Sequence, residues 1–277
     1  MHSNWRAASV MALTLLSSAI TFSGTAAAQT TAATKEYTPS VGQEGKDVIW
    51  VPTPQSLVDR MLTMAGVKPT DYVIDLGSGD GRTVITAAKK FGAPALGIEY
   101  NPDMVELAKR AAEKEGVAGK AQFVKADIFQ TDFSKATVLT MYLLPSLNVK
   151  LRPTILNLKP GTRIVSHAFT MDDWQPDQVD SSEGRTAYMW IVPAKVGGTW
   201  KLDGAGRNVE TTFTQQYQNI GGSAKIDGKV AQFSSGKLRG DTITFAIDGR
   251  EYTGRVAGDK IEGTVAGGKF TATRSGS

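Results

Sequence analysis

A glycine-rich turn between a short apolar segment and an amphipathic one constrains the fold of this chain most. Residues 75–81 read Asp-Leu-Gly-Ser-Gly-Asp-Gly; the motif begins at the end of the largely apolar segment 72–76 and precedes a helical pattern at 83–91. Glycines at alternate positions let the backbone turn tightly and approach a ligand without Cβ clashes, and the following helix presents free N–H groups. The motif predicts a strand–loop–helix unit that binds a nucleotide-like ligand.

Short apolar segments alternate with longer amphipathic ones from Asp71 onward, which is typical of a parallel sheet covered by helices. A helix to about Ala65 precedes them, with Thr53 as its N-cap and Pro54 at its first position. Between Met171 and Pro176 there is no room for another full helix. The predicted strands and later helices are strands 72–76, 95–100, 122–126, 137–143, 163–169 and 186–193, helices 83–91, 102–115 and 148–158, and a strand 178–181 that pairs with the last one.

The composition changes after Ala194. Of the 29 glycines, 16 lie in residues 195–277, where short alternating segments are separated by Asp-Gly pairs at 203, 227 and 248. Asp-Gly between alternating segments is a hairpin signal. We therefore expect an antiparallel β meander or a small barrel. The Gly-Asp-x-Ile sequences at 240–243 and 258–261 are either a repeat or two turns of one kind.

The first 28 residues have the three-part layout of a secretory signal: a basic start, an apolar segment at 7–22 and small residues up to Ala28. We expect cleavage before Gln29, export to the periplasm and no stable membrane insertion afterwards. The alternative is an uncleaved anchor, although the apolar segment is shorter than the ~20 residues that a spanning helix needs. The expected organisation is a signal peptide at 1–28, a flexible lead-in at 29–47, an α/β domain at 48–194 and a small β-rich domain at 195–277.

Composition excludes several classes of function. The formal net charge of +4, spread without long runs of like charge, argues against a nucleic-acid partner. The chain has no cysteine, which excludes disulfides, thiolate metal sites and a cysteine nucleophile.

A metal site would need a cluster of carboxylates that face the same way. Asp172 and Asp173 are adjacent, and adjacent side chains on an extended segment point to opposite faces. We predict no metal site.

The acidic residue at the end of the second strand, Glu99, limits which nucleotide-like cofactors fit the site. Glu99 can accept hydrogen bonds from both hydroxyls of a ribose, which fits either a dinucleotide or another adenosine cofactor. A dinucleotide fingerprint also needs a glycine where this chain has Arg82. That cofactor is therefore disfavoured.

With Asp75 at the tip of the first strand and Asp127 after the third, the spacing over residues 48–194 resembles the class I S-adenosylmethionine-dependent methyltransferases. The resemblance implies an α/β, Rossmann-like methyltransferase sheet with flanking helices. It also implies that Glu99 holds the ribose, that Asp127 and Ile128 contact the adenine, and that the glycine loop wraps the methionine part. That loop comprises Asp75, Gly77, Ser78, Gly79, Asp80 and Gly81. An alternative role for Asp80 and Asp127 is capping of a helix or turn.

A narrower resemblance is carried by the sequences Trp-Val-Pro-Thr-Pro at 50–54, Tyr-Leu-Leu-Pro at 142–145 and the segment 158–166. These are similar to the bacterial relatives of the mitochondrial protein-lysine methyltransferases that modify the c-ring protein of ATP synthase and the adenine nucleotide carrier. The resemblance implies that the segment before the first strand folds over the cofactor, with roles for Trp50 and Thr53. The alternative is that Thr53 only caps its helix. The predicted signal and the β-rich domain depart from the family pattern.

Methyl transfer from a sulfonium needs positioning and desolvation rather than a nucleophilic side chain. Tyr142, after the fourth strand, is the candidate catalytic residue, because its hydroxyl can orient an acceptor; the alternative is ordinary aromatic packing. His167 is expected to pack behind the site. The sequence predicts an S-adenosylmethionine-dependent methyltransferase of protein lysine. The alternatives are a small-molecule acceptor, or an exported cofactor-binding protein without turnover.

Overall fold

The computed structural model describes residues 37–204 and 206–275. The predicted signal peptide and the first part of the lead-in, residues 1–36, lie outside the described residues. No helix within the described ranges is long and apolar enough to cross a membrane.

The first sheet has the parallel core that the alternating pattern predicts. Its strands are β1 (Val73–Leu76), β2 (Ala95–Glu99), β3 (Ala121–Lys125), β4 (Val138–Met141), β5 (Arg163–His167), β6 (Gln178–Ser182) and β7 (Arg185–Ile191). Their order is β3-β2-β1-β4-β5-β7-β6, with β7 antiparallel to both of its neighbours. Positive φ angles at Glu183 and Gly184 make the tight turn between β6 and β7. The predicted pairing of the segment 178–181 is confirmed.

The helices flank this sheet and bury their apolar faces against it: α1 (Gln55–Met64), α2 (Arg82–Phe91), α3 (Pro102–Lys114) and α4 (Pro145–Ile155). The side chain of Asn101 accepts a hydrogen bond from the Asp103 amide at 2.9 Å, so the predicted start of α3 is confirmed. The stretch between Met171 and Pro176 contains no helix in the described chain, as expected.

Two helix starts differ from prediction. The N-cap of α1 is Pro54, and within the described residues no side chain caps this helix; Thr53 turns its hydroxyl to His167 instead. The prediction that Thr53 caps α1 is therefore wrong. Helix α4 begins at Pro145, three residues before the predicted Asn148, because proline is favoured at a first helical position.

The C-terminal strands form a second, antiparallel sheet that closes on itself: β8 (Gly198–Gly204), β9 (Arg207–Gln216), β10 (Asn219–Ile226), β11 (Lys229–Ala231), β12 (Phe233–Arg239), β13 (Thr242–Ile247), β14 (Arg250–Ala257), β15 (Lys260–Val265) and β16 (Gly268–Arg274). Strand β16 pairs with β8 and β9 pairs with β10, so every strand except the short β11 has at least two neighbours in the described chain. The predicted barrel is confirmed.

Alternating side chains fill the interior of this barrel. Five buried aromatic rings pack together there: Trp200, Phe213, Phe245, Tyr252 and Phe270. The Asp227-Gly228 and Asp248-Gly249 pairs have positive φ at both residues, as hairpin turns of this type require. Asp203 and Gly204 instead pair with Asn208 and Arg207 as the last residues of β8, so the turn predicted at this pair is wrong. Strand β7 ends at Ile191 and β8 begins at Gly198, so the domain boundary predicted after Ala194 falls between the two sheets.

Hydrogen-bonded structure begins earlier than predicted. Within residues 42–50, which we call the N-terminal loop, the Gly42 amide donates to the Trp50 carbonyl and the Trp50 amide donates to the Gln43 carbonyl, both at 2.9 Å. Glu44 and Ile49 form an antiparallel bridge. The expectation of a flexible lead-in up to residue 47 is therefore wrong for residues 42–47, because these contacts join residues that show no period in the sequence.

Candidate active site

A cavity of about 570 Å³ lies at the edge of the first sheet where its parallel strands end. In an open α/β sheet, ligands bind at this carboxyl edge. The N-terminal loop closes one side of the cavity. The predicted site residues that line it are Trp50, Thr53, Asp75, Gly77, Ser78, Gly79, Asp80, Glu99, Asp127, Ile128 and Tyr142. Their individual contacts with a cofactor stay predictions.

The glycines of the loop have different roles. Gly79 has φ +54°, and a Cβ there would lie 2.5 Å from Nε1 of Trp50, so glycine lets the indole cover the loop. Gly81 has φ +82° and is absent from the described residues that line the cavity; a Cβ there would meet Phe123 at 2.7 Å and Ala108 at 2.8 Å. The structure gives Gly81 a packing role between the loop, β3 and α3.

The Glu99 carboxylate is fixed by two backbone amides. The Gly79 amide donates to its Oε2 and the Asn101 amide donates to its Oε1, each at 2.9 Å. These bonds tie the end of β2 to the glycine loop and hold the carboxylate at the cavity wall. A carboxylate has further lone pairs that can accept from the hydroxyls of a ligand.

Asp75 is a buried acid whose pKa lies near neutrality. Burial is the main cause that raises the pKa of this carboxyl to about 7; the hydrogen bond from Thr140 opposes it, and the negative charges of Glu99 and Asp80 add to it. The Thr140 hydroxyl donates to Oδ1 of Asp75 at 2.6 Å. A small change in local charge can therefore change the protonation of Asp75.

Asp80 is engaged by Arg82, the residue that stands where a dinucleotide fingerprint needs glycine. The guanidinium donates through Nε to Oδ1 of Asp80 at 3.0 Å and through Nη1 to the Thr53 carbonyl at 2.9 Å. Gly81, rather than Asp80, is the N-cap of α2, but Oδ1 of Asp80 accepts from the Arg82 amide at 3.3 Å, which is a turn-capping contact. Arg82 thus clamps the segment before α1 to the glycine loop, a role that no local sequence pattern indicates.

Asp127 lies in the wall of the cavity, two residues after β3. The Phe129 amide donates to Oδ1 at 2.8 Å, which is the turn-capping contact, and Lys46 lies 3.1 Å from Oδ2. The Phe129 amide, and then Lys46, lower the pKa of Asp127. Lys46 belongs to the N-terminal loop, and sequence reasoning missed it because that loop shows no motif.

The rings of Tyr142 and Phe169, which we call the aromatic wall, lie beyond the ends of β4 and β5, and His167 packs behind them. The ring of Tyr142 lies between those of His167 and Phe169, with centroid distances of 3.8 Å and 6.0 Å. His167 is 2% exposed and shares a hydrogen bond of 3.1 Å between Nδ1 and the Thr53 hydroxyl. Burial, and then the charge of Arg185, lower the pKa of His167 to about 4, so the imidazole is neutral near pH 7.

The residues present fit an adenosyl cofactor. A glycine cradle follows β1, and carboxylates that can bind ribose and adenine lie at the end of β2 and after β3, around a cavity large enough for such a ligand. No cluster of three metal-binding side chains exists within the described ranges. The fold and this site define a class I S-adenosylmethionine-dependent methyltransferase.

Comparisons with known proteins agree. Residues 75–178 match the family model described as "ANTKMT methyltransferase domain". A protein-lysine N-methyltransferase of Saccharolobus islandicus is 45% identical over 151 residues, covering 52% of this chain and 94% of that enzyme. The adenine nucleotide translocase lysine N-methyltransferase of Mus musculus is 32% identical over 120 residues, covering 43% of this chain and 52% of that enzyme. The chain therefore spans about half the length of the mouse relative.

A crystal structure of an RNA methyltransferase from Salinibacter ruber, in complex with S-adenosylhomocysteine, is 51% identical. The match covers 53% of this chain and 96% of the Salinibacter ruber chain, with a TM-score of 0.52. The chain belongs to the methyltransferase family that the ANTKMT model and the archaeal protein-lysine N-methyltransferase represent. It is an S-adenosylmethionine-dependent methyltransferase, as the sequence predicted.

Proposed function

We propose that this enzyme methylates the side-chain nitrogen of lysine in a protein acceptor. The observation that carries the proposal is the aromatic wall of Tyr142 and Phe169 beside the cavity, because flat apolar rings suit the hydrocarbon stem of a lysine and exclude water from its amine. The 45% identity to an enzyme named a protein-lysine N-methyltransferase supports this acceptor.

The chemistry is an in-line displacement in which the amine nitrogen bonds to the methyl carbon while the carbon–sulfur bond breaks. The cofactor supplies a methyl group already activated as a sulfonium. The lysine amine must arrive unprotonated, and the proton that the methylated amine then loses goes to solvent. Tyr142 orients the amine, and the neutral state of His167 keeps an additional positive charge away from the cationic sulfonium.

The cofactor is held by the groups at the strand ends. Glu99 and Asp127 would bind its ribose and adenine, and the glycine loop with Trp50 above it would enclose the methionine part. Asp75 faces the cavity as a carboxyl that can ionise in response to the cofactor ammonium. Positioning and desolvation of the two reactants then account for the catalysis.

The acceptor test uses the purified chain, labelled S-adenosylmethionine and three separate acceptors: an envelope protein fraction, total RNA and small amines. We expect label in protein, located on lysine by mass spectrometry and lost in a Tyr142→Ala variant that still binds S-adenosylhomocysteine. Label in RNA or in the small amines alone would overturn the lysine assignment. Binding without transfer to any of them would support a cofactor-binding protein without turnover.

We also propose that the chain is exported and works in the periplasm after cleavage before Gln29. The support is the order of basic, apolar and small residues in the first 28 positions. Fractionation of cells and determination of the mature N-terminus test this. A cytoplasmic protein that keeps Met1 would overturn it, and the acceptor would then be sought among cytoplasmic proteins.

A further inference from the structure

The turn between β9 and β10 of the barrel contacts the loop that follows β5. We call residues 168–177 the Trp174 loop. Gln218, which is 3% exposed, accepts a hydrogen bond from Nε1 of Trp174 at 2.9 Å and donates from Nε2 to the Gln175 carbonyl at 2.9 Å. One buried side chain of the barrel thus holds two successive residues of the loop.

Tyr217 adds a second set of contacts to the same loop. Its ring stacks on Trp174, with centroids 5.6 Å apart and planes 15° apart, and its hydroxyl donates to Oδ1 of Asp173 at 2.9 Å. Tyr217 has φ +54°, an unfavourable angle for a bulky residue. The Leu238 amide donates to the Gln218 carbonyl at 2.7 Å and ties the turn to the barrel. These contacts offset the cost of the strained turn.

The Trp174 loop carries Phe169, which lines the cavity and stacks on Tyr142. From the opposite side, α4 holds the loop through Nδ2 of Asn148, 3.1 Å from the Thr170 carbonyl, and through Nη1 of Arg152, 2.7 Å from the Met171 carbonyl. The position of Phe169 therefore depends on supports from both α4 and the barrel.

We propose that Tyr217 and Gln218 are positioning residues through which the barrel fixes Phe169 of the aromatic wall in the active site. The barrel is then part of the catalytic architecture rather than an appended module. The expected effect on acceptor turnover rests on the proposed function. The expected effect on the position of the Trp174 loop does not.

The test compares Gln218→Met, which keeps the side-chain volume and removes both hydrogen bonds, with Thr211→Val. Thr211 is a matched control, because it is also buried in the barrel and its hydroxyl donates to the Ser223 carbonyl at 3.0 Å, away from the loop. We expect amide hydrogen exchange in the Trp174 loop to be about tenfold faster in Gln218→Met and unchanged in the control. Affinity for S-adenosylhomocysteine should stay within about twofold, while kcat/KM for the acceptor falls about tenfold.

Tyr217→Phe keeps the stacked ring and loses one hydrogen bond, so the same measurements should give an intermediate effect; this variant also serves if Gln218→Met does not fold. Loop exchange equal to that of the native chain, or an equal change in Thr211→Val, would overturn the proposal. If no lysine acceptor exists, the exchange and cofactor-binding measurements still decide whether the barrel fixes the loop, so the two failures are distinguishable.

Discussion

The imidazole of His167 lies against the ring of Tyr142, with their centroids 3.8 Å apart and their planes tilted by 32°. The same imidazole is hydrogen-bonded to Thr53, ahead of α1. Three segments distant in sequence thus meet behind the aromatic wall. Because His167 is buried and neutral, it acts as a fixed spacer that sets the position of Tyr142 rather than as a proton carrier.

Replacing Thr53 by valine should destabilise the fold, since it leaves Nδ1 of His167 without its buried partner at nearly constant volume. The expected loss is about 1–2 kcal/mol in the free energy of unfolding. Thermal unfolding should show a midpoint lowered by roughly 2–6 °C. Thr63→Val, at an exposed position of α1, is the control and should leave the midpoint unchanged. An unchanged midpoint in Thr53→Val would mean that this hydrogen bond contributes nothing.

Tyr142 is expected to act through its hydroxyl and its ring separately. Tyr142→Phe should lower kcat/KM for the acceptor about tenfold, and Tyr142→Ala about a hundredfold, because the alanine variant also removes the wall. Both should bind S-adenosylhomocysteine nearly as well as the native chain, since Glu99 and Asp127 are untouched. Full activity in Tyr142→Phe would assign the residue to packing alone.

Local patterns in the sequence predicted most of the fold. The glycine loop, the strand periods and the Asp-Gly turns are each encoded within a few neighbouring residues, so the sheet and the barrel could be anticipated. The closed order of the barrel strands depends on pairing between β8 and β16, which lie at opposite ends of that region. No local pattern records such a pairing.

The parts of the site that prediction missed all depend on distant partners. Lys46 reaches Asp127, and Arg82 reaches the Thr53 carbonyl, and in each case the two partners are far apart in the sequence. Gln218 and Trp174 are 44 residues apart. The assignment of Thr53 as a helix cap failed for the same reason, since His167, which takes its hydroxyl, follows 114 residues later.

Glu99→Gln tests the cofactor end of the cavity. An amide cannot accept from both the Gly79 and Asn101 amides, so one of them loses its partner and the glycine loop shifts. Calorimetry with S-adenosylhomocysteine should show affinity weakened roughly 10- to 100-fold. Glu106→Gln, at an exposed position of α3 where the native carboxylate pairs with Lys109, is the control and should bind normally. Equal affinities in the two variants would remove Glu99 from the cofactor site.

Removal of residues 195–277 should destabilise the remaining chain. Trp174 is fully buried, and its indole is bonded to Gln218 and stacked on Tyr217, so truncation exposes an aromatic surface and leaves polar groups unpaired. We expect an aggregating product with a lowered unfolding midpoint. A truncated chain that stays monomeric and unfolds at the native temperature would contradict this.

The buried carboxyl of Asp75 should make cofactor binding depend on pH. With a pKa of about 7 in the free protein, this group is mostly protonated at pH 6 and mostly ionised at pH 8. The ammonium of S-adenosylhomocysteine favours the ionised form, so the affinity should rise with pH by up to about tenfold per unit below pH 7 and level off above pH 8. Binding near pH 6.5 should release a proton, which calorimetry in buffers of different ionisation enthalpy measures.

The raised pKa of Asp75 makes the folding stability of the free protein change with pH in the opposite direction to the cofactor affinity. Because the folded-state pKa of Asp75 lies above its ordinary value of 3.8, the stabilising contribution of this group is present at low pH and is lost as the pH rises through about 7. Asp75→Asn should flatten both pH dependences. Asp132→Asn is the control, since the Ser134 amide holds the pKa of Asp132 below its usual value and removes it from this range. If the affinity of the native chain for S-adenosylhomocysteine stayed constant from pH 6 to 8, the ammonium of that ligand would not contact Asp75.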